Sequence, residues 1–154
     1  MGCVTPPPGY MKAMKDVCHR HGALFICDEI MCGMGRTGKW HVYQQEMGGS
    51  EPDILVLGKG LAAGVQPISA MLINQKILDV LAGGSKSFVH GHTFQNHPLG
   101  CAAALEVIKI IQEDDLLANV HRMGDLLKGL LHKKLDPLAN VGDVRGRGLF
   151  IGVR

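Results

Sequence analysis

A lysine set among glycines at the end of an apolar run is the first residue of this chain equipped for covalent chemistry. The stretch is Pro52-Asp53-Ile54-Leu55-Val56-Leu57-Gly58-Lys59-Gly60, and the lysine is Lys59. An amine attacks a carbonyl only when neutral, and partial burial at a strand end disfavours the ammonium form, so this position predicts an imine-forming lysine. A surface lysine in a loop accounts for Gly-Lys-Gly equally simply. A phosphate-binding Walker loop does not, because no glycine stands five residues before Gly58 and Gly60 takes the place of the required Ser or Thr. A second candidate lies upstream, where the run Ala23-Leu24-Phe25-Ile26-Cys27 ends in Asp28-Glu29.

Bringing Lys59 and Asp28 together requires two strands whose carboxyl ends share an edge. The continuous apolar run over 23–27 predicts a strand covered on both faces, and 54–57 predicts a second. Before them, Tyr10, Ala13, Met14, Val17 and Cys18 form one face of a helix over 10–21, stopped by Gly22. A third strand is expected over 68–73, with Asn74 capping a helix over 75–81. A polar loop over 87–97 leads to helices over 98–112 and 116–130, which carry Ala104, Ile108 and Ile111, then Val120, Met123 and Leu127, at helical spacing. Residues 141–153 read as two short strands around Gly146-Arg147-Gly148. The alternation of strand and helix makes the chain α/β with a mostly parallel sheet.

In such sheets ligands bind beyond the carboxyl ends of the strands, the edge to which both Asp28 and Lys59 are delivered. A carboxylate opposite an imine-forming lysine is what pyridoxal phosphate needs. The lysine holds the aldehyde, and the carboxylate keeps the pyridine nitrogen protonated so that the ring draws electrons. An ion pair between neighbouring strand ends explains the same two residues. A further alternative is an NAD(P)- or FAD-binding oxidoreductase, since Gly33-Met34-Gly35-Arg36-Thr37-Gly38 spells GxGxxG with Asp53 twenty residues beyond Gly33. Three features count against it: Asp28-Glu29 sets negative charge near the pyrophosphate, four residues separate strand from first glycine, and Asp53 precedes its strand. His90, His92 and His97 invite a metal reading, but their loop holds no carboxylate, and no metal site is expected.

Composition narrows the classes. The 154 residues are 46% hydrophobic and 19% charged, enough for one globular domain with a core. A net charge of +2 and 5% aromatic residues, with no basic cluster beside stacking rings, give no case for nucleic acid. No apolar run has the length of a membrane span. Five cysteines within mostly apolar patterns suit buried thiols in a reducing compartment, so the expected location is cytoplasmic, with the mitochondrial matrix as the alternative.

Four runs carry a family resemblance: CDEIMCGMGRTG at 27–38, PDILVLGKGLAAG at 52–64, HGHTFQNHPLGCAAALEVI at 90–108 and VGDVRGRGLFIGV at 141–153. In order, they resemble the signatures of class III aminotransferases, the omega-amino-acid transaminase group. The resemblance implies the type I fold of pyridoxal-phosphate transferases, with 1–138 as a portion of the large cofactor-binding domain and 139–154 as the truncated start of the small C-terminal domain. It makes Lys59 the Schiff-base lysine and Asp28 the partner of the pyridine nitrogen. Ile30 is expected against one face of the ring, and Thr93 on the phosphate of the neighbouring subunit's cofactor, which implies a homodimer. Many members carry Gln where Met31 stands, to reach the phenolic oxygen; Met31 can only pack there. Family members are much longer. Their glycine-serine phosphate loop, stacking aromatic and substrate-facing C-terminal domain have no counterpart here, so the chain is expected to be a fragment, inactive alone. The implied reaction moves an amino group from an amine or omega-amino acid to a 2-oxo acid. A non-catalytic truncated paralogue that pairs with a full-length subunit is the other reading of the same resemblance.

Overall fold

The computed structural model describes residues 2–154. Helix α1 (Tyr10–Arg20) leads to strand β1 (Ile26–Asp28), short helix α2 (Tyr43–Glu46) and strand β2 (Ile54–Leu57). A single 3-10 turn (Lys59–Ala62) follows, then β3 (Ala70–Ile73), α3 (Gln75–Gly83), α4 (Pro98–Glu113), α5 (Leu116–Leu135) and the strands β4 (Val144–Arg147) and β5 (Phe150–Val153). Local chemistry explains several ends. Gly22 takes φ +70° after α1, and the Gly22 and Ala23 N–H groups donate to the His19 and Cys18 carbonyls, closing the helix by a glycine stop. Asn74 caps α3 by accepting from the Ile77 N–H at 3.1 Å. Asp115 makes no side-chain cap on α5; it turns the chain with φ +48°.

The sheet order is β1-β2-β3. β1 runs parallel to β2, with Asp28 opposite Val56, whereas β3 runs antiparallel to β2, with Val56 opposite Met71. The expectation of a mostly parallel sheet is corrected at this second pairing. A parallel return needs a crossover, usually a helix, and the link from Leu57 to Ala70 holds only the 3-10 turn and a loop, so the chain doubles back.

Side-chain alternation along the strands puts Cys27, Leu55 and Leu57 on one face, where they pack with Met47, Leu61 and Ala104 into the core. Ile26 points the other way and is 56% exposed, so β1 is covered on one face only, not on two. α4 packs on the Lys59–Ala62 turn, and α5 packs on both α4 and the β4 strand. The apolar faces of α1 and α5 are only partly covered, with Tyr10, Leu127 and Leu130 exposed.

The entry to β2 is fixed by Asp53, which is 2% exposed. Its carboxylate accepts from the Phe25 N–H at 2.7 Å and from Asn74 Nδ2 at 2.9 Å, and lies 2.7 Å from His19 Nε2. One side chain thus ties α1, the approach to β1, β2 and α3 together. Burial alone would raise the Asp53 pKa, but the Phe25 N–H, the His19 bond and charge, and Asn74 outweigh it, and the net displacement is downward. A carboxyl with a lowered folded pKa gives stability that is present above its unfolded value and lost as pH falls through the folded one. Urea midpoints are therefore expected to hold steady from neutral pH to about 5 and to drop below about pH 4. Asp53→Ala should cost about 2–4 kcal/mol at pH 7 by stranding three donors, and should weaken the acid-induced drop.

Candidate functional site

Asp28 is the last residue of β1, opposite Val56, and Lys59 opens the 3-10 turn two residues after adjacent β2 ends at Leu57, so the two reach one edge of the sheet. The glycines around Lys59 have a steric reason. A Cβ on Gly58 would lie 3.3 Å from Ile30 Cγ2, and one on Gly60 would lie 3.2 Å from Met34 Cβ. The turn after β1 therefore rests directly on the two residues that flank the lysine. Lys59 itself has φ +41°, in the left-handed region that costs a non-glycine residue energy, and Ala63 closes the 3-10 turn with φ +50°. Strain of this kind at a strand end is a recurrent feature of reactive positions.

Asp28 holds its own turn: Oδ1 accepts from the Ile30 N–H at 3.0 Å. The carboxylate remains exposed, as does Lys59. A buried structural ion pair is thereby removed as an explanation of these two residues. The expectation that Lys59 is partly desolvated is also corrected, since its side chain is exposed in this structure.

Ile30 is half-buried against Gly58. Met31 is 56% exposed. Thr93 lies exposed in the turn before α4 and, among the described residues, makes no hydrogen bond to the Asp28 and Lys59 edge. His90 and His92 stand edge to face at 5.2 Å in the same exposed loop, and no group of three His, Cys, Asp or Glu side chains converges as a metal site among the described residues. A hollow of about 370 Å³ between α3 and the loop at Lys86–Phe88 shares no residue with the site.

The GxGxxG segment is used for packing. No helix opens within Gly33–Gly38, and the next one, α2, starts only at Tyr43, which leaves no helix N-terminus at the glycines for a pyrophosphate. A Cβ on Gly35 would come within 3.0 Å of Leu117 Cδ2, and one on Gly38 within 2.4 Å of the His121 ring, whose Nε2 lies 2.9 Å from the Gly38 carbonyl. Gly148 of the β4–β5 turn presses on Thr37 and Val120 in the same place. Asp53, the residue that reading required at the ribose, is consumed by the network described above. The dinucleotide alternative fails on both counts.

The family model described as aminotransferase class-III matches residues 1–154. The chain belongs to the class III aminotransferase family. Among its relatives, an aminotransferase of Gibberella zeae is 55% identical over 150 residues, spanning 97% of this chain and 29% of that protein. The taurine:2-oxoglutarate aminotransferase of Bifidobacterium kashiwanohense, solved in complex with PLP and glutamate, overlays with a TM-score of 0.91 at 33% identity, over 99% of this chain and 33% of that one. An amine transaminase from an uncultivated Pseudomonas species, solved in its PLP-bound form, overlays with a TM-score of 0.89 at 40% identity, over 96% of this chain and 33% of that one. The expected type I transferase fold is borne out by these overlays. This class III aminotransferase chain spans about a third of the length of the relatives it matches.

One residue of the aminotransferase chain escaped the sequence reading. Glu29 is 3% exposed, and its two oxygens accept from the Val42 and Tyr43 N–H groups at 2.8 Å each. Its signal was faint: an acidic residue directly after Asp28, with a glycine four positions on at Gly33. Burial first, and then the Glu29 charge, push the Cys27 and Cys32 thiols up to about 11, so both stay protonated near neutral pH and are not nucleophiles.

Proposed function

We propose that the full-length protein is a pyridoxal-phosphate-dependent aminotransferase that moves an amino group from an amine or omega-amino acid to a 2-oxo acid, with Lys59 as its covalent residue. The supporting observation is the shared edge, where Asp28 ends β1, a lysine with positive φ follows the end of adjacent β2, and Ile30 rests on Gly58 just before that lysine. These groups fit the cofactor's two reactive ends: an amine for the aldehyde and a carboxylate for the pyridine nitrogen. Bound there, the cofactor supplies an exchangeable carbonyl and an electron-withdrawing ring.

Lys59 Nζ would hold the cofactor through its aldehyde, and as a neutral amine it would be the group at this edge able to take up and give back a proton. Asp28, with Oδ1 oriented by the Ile30 N–H, would hold a proton on the ring nitrogen, and Ile30 would lie against one face of the ring. Lys59 Nζ must be neutral to act, and its exposure here assigns the desolvation to further protein laid over this edge. That role suits the remaining two thirds of the family's length together with a second subunit, to whose cofactor phosphate Thr93 is assigned. By the same reading 1–138 belongs to the large domain and 139–154 opens the small one.

Full-length protein and residues 1–154 alone, each titrated with pyridoxal phosphate and assayed for amine transfer to pyruvate, test the proposal. The full-length protein is expected to turn over, and the short chain to bind weakly and show no turnover. Turnover by the short chain contradicts the incomplete-site reading. Inactivity of the full-length protein toward every donor tried favours a non-catalytic partner of an active subunit.

A further inference from the structure

We infer that Glu29 is the positioning residue of this site, its buried carboxylate fixing the turn that carries Asp28 and Ile30 onto the glycines beside Lys59. The inference rests on the function proposed above and concerns what aims Asp28.

Four hydrogen bonds hold Glu29. Its N–H donates to the Val56 carbonyl at 2.9 Å, continuing the β1–β2 pairing one residue past Asp28, and its carbonyl accepts from the Gly33 N–H at 2.9 Å. The carboxylate takes the two remaining bonds, one oxygen to Val42 N–H and the other to Tyr43 N–H. His41 Nδ1 lies 3.6 Å from the same carboxylate, with its ring stacked on Tyr43 at 5.7 Å. Space for this arrangement comes from Gly33, where a Cβ would lie 2.8 Å from the Glu29 carbonyl oxygen and 3.1 Å from Oε2.

Asp28 has no comparable anchor. Its side chain is exposed, and its one oriented oxygen is bonded within its own turn, to Ile30. The direction of its carboxylate therefore follows the backbone of residue 29, which is pinned from both its main-chain and side-chain groups. The Ile30 contact with Gly58 depends on the same pin. A displacement of the turn at Glu29 thus moves the ring-nitrogen partner and the ring-face residue together.

The test uses the full-length protein freed of cofactor and retitrated with pyridoxal phosphate. In Glu29→Gln an amide NH₂ faces a backbone N–H, so one bond is lost and a donor opposes a donor. The cofactor Kd is expected to rise about tenfold or more and kcat to fall, with a shifted visible band, at a temperature where urea titration finds the variant fully folded. Val42→Pro leaves Glu29 intact and removes one of its two donors, at a position whose φ of −64° suits proline. A change in the same direction, about threefold, is expected there. Lowered unfolding midpoints with unchanged Kd and spectrum in the folded variants would make Glu29 merely structural and overturn the inference. If Glu29→Gln does not fold, an unchanged Kd in Val42→Pro overturns it alone. Failure of the underlying function is distinguishable, because then the parent protein itself binds no cofactor.

Discussion

A Lys59→Ala variant of the full-length protein is expected to lose about 10⁴-fold or more in kcat while its unfolding midpoint stays within experimental scatter. The loss is large because Lys59 has two tasks, the covalent tether and the proton transfer, and a positioned acid or base alone contributes roughly 10²–10⁴. Stability of the cofactor-free protein is spared because the Lys59 side chain makes no hydrogen bond or ion pair with any described residue, so its truncation strands no partner. Lys59→Arg should fare no better, since a guanidinium with a pKa above about 12 offers no neutral nitrogen near physiological pH. Steady-state assays beside a urea titration check both halves. Activity within tenfold of the parent in either variant would move the chemistry to another lysine.

The second large effect is at Asp28. Asp28→Asn keeps the shape and the Asx turn to Ile30, yet removes the charge that holds a proton on the ring nitrogen. A fall of about 10³-fold in kcat, with KM for the amine nearly unchanged, is expected, because the lost interaction grows as charge develops in the transition state. Single-turnover kinetics with one amine donor read it directly. A parent-like rate in the Asn variant would make Asp28 a turn residue and nothing more.

Much of this site was legible as residue type and order. Apolar runs ending in Asp28 and Lys59 place two chemical groups at strand ends, and the register of β1 on β2 brings them to one edge. What failed to register was three-dimensional in origin. The reversal into β3 depends on a link without a helix, and a string of apolar residues does not state the direction of its return. The exposure of Ile26, Met31 and Lys59 depends on what covers the sheet, and a continuous apolar run reads the same whether one face or two are covered. The GxGxxG spelling was misleading because glycine serves close packing as readily as phosphate approach, and here Gly38 makes room for His121. Glu29 was missed because its partners, Val42 and Tyr43, are backbone groups thirteen and fourteen residues away.

Whether Lys59 carries the cofactor is settled most directly by trapping. Full-length protein loaded with pyridoxal phosphate is reduced with borohydride, digested, and its labelled peptide sequenced by mass spectrometry. The site described here predicts one pyridoxyl group per chain, on Lys59 in the peptide that follows β2. A label on Lys39 or Lys86, or none on any lysine, would contradict it.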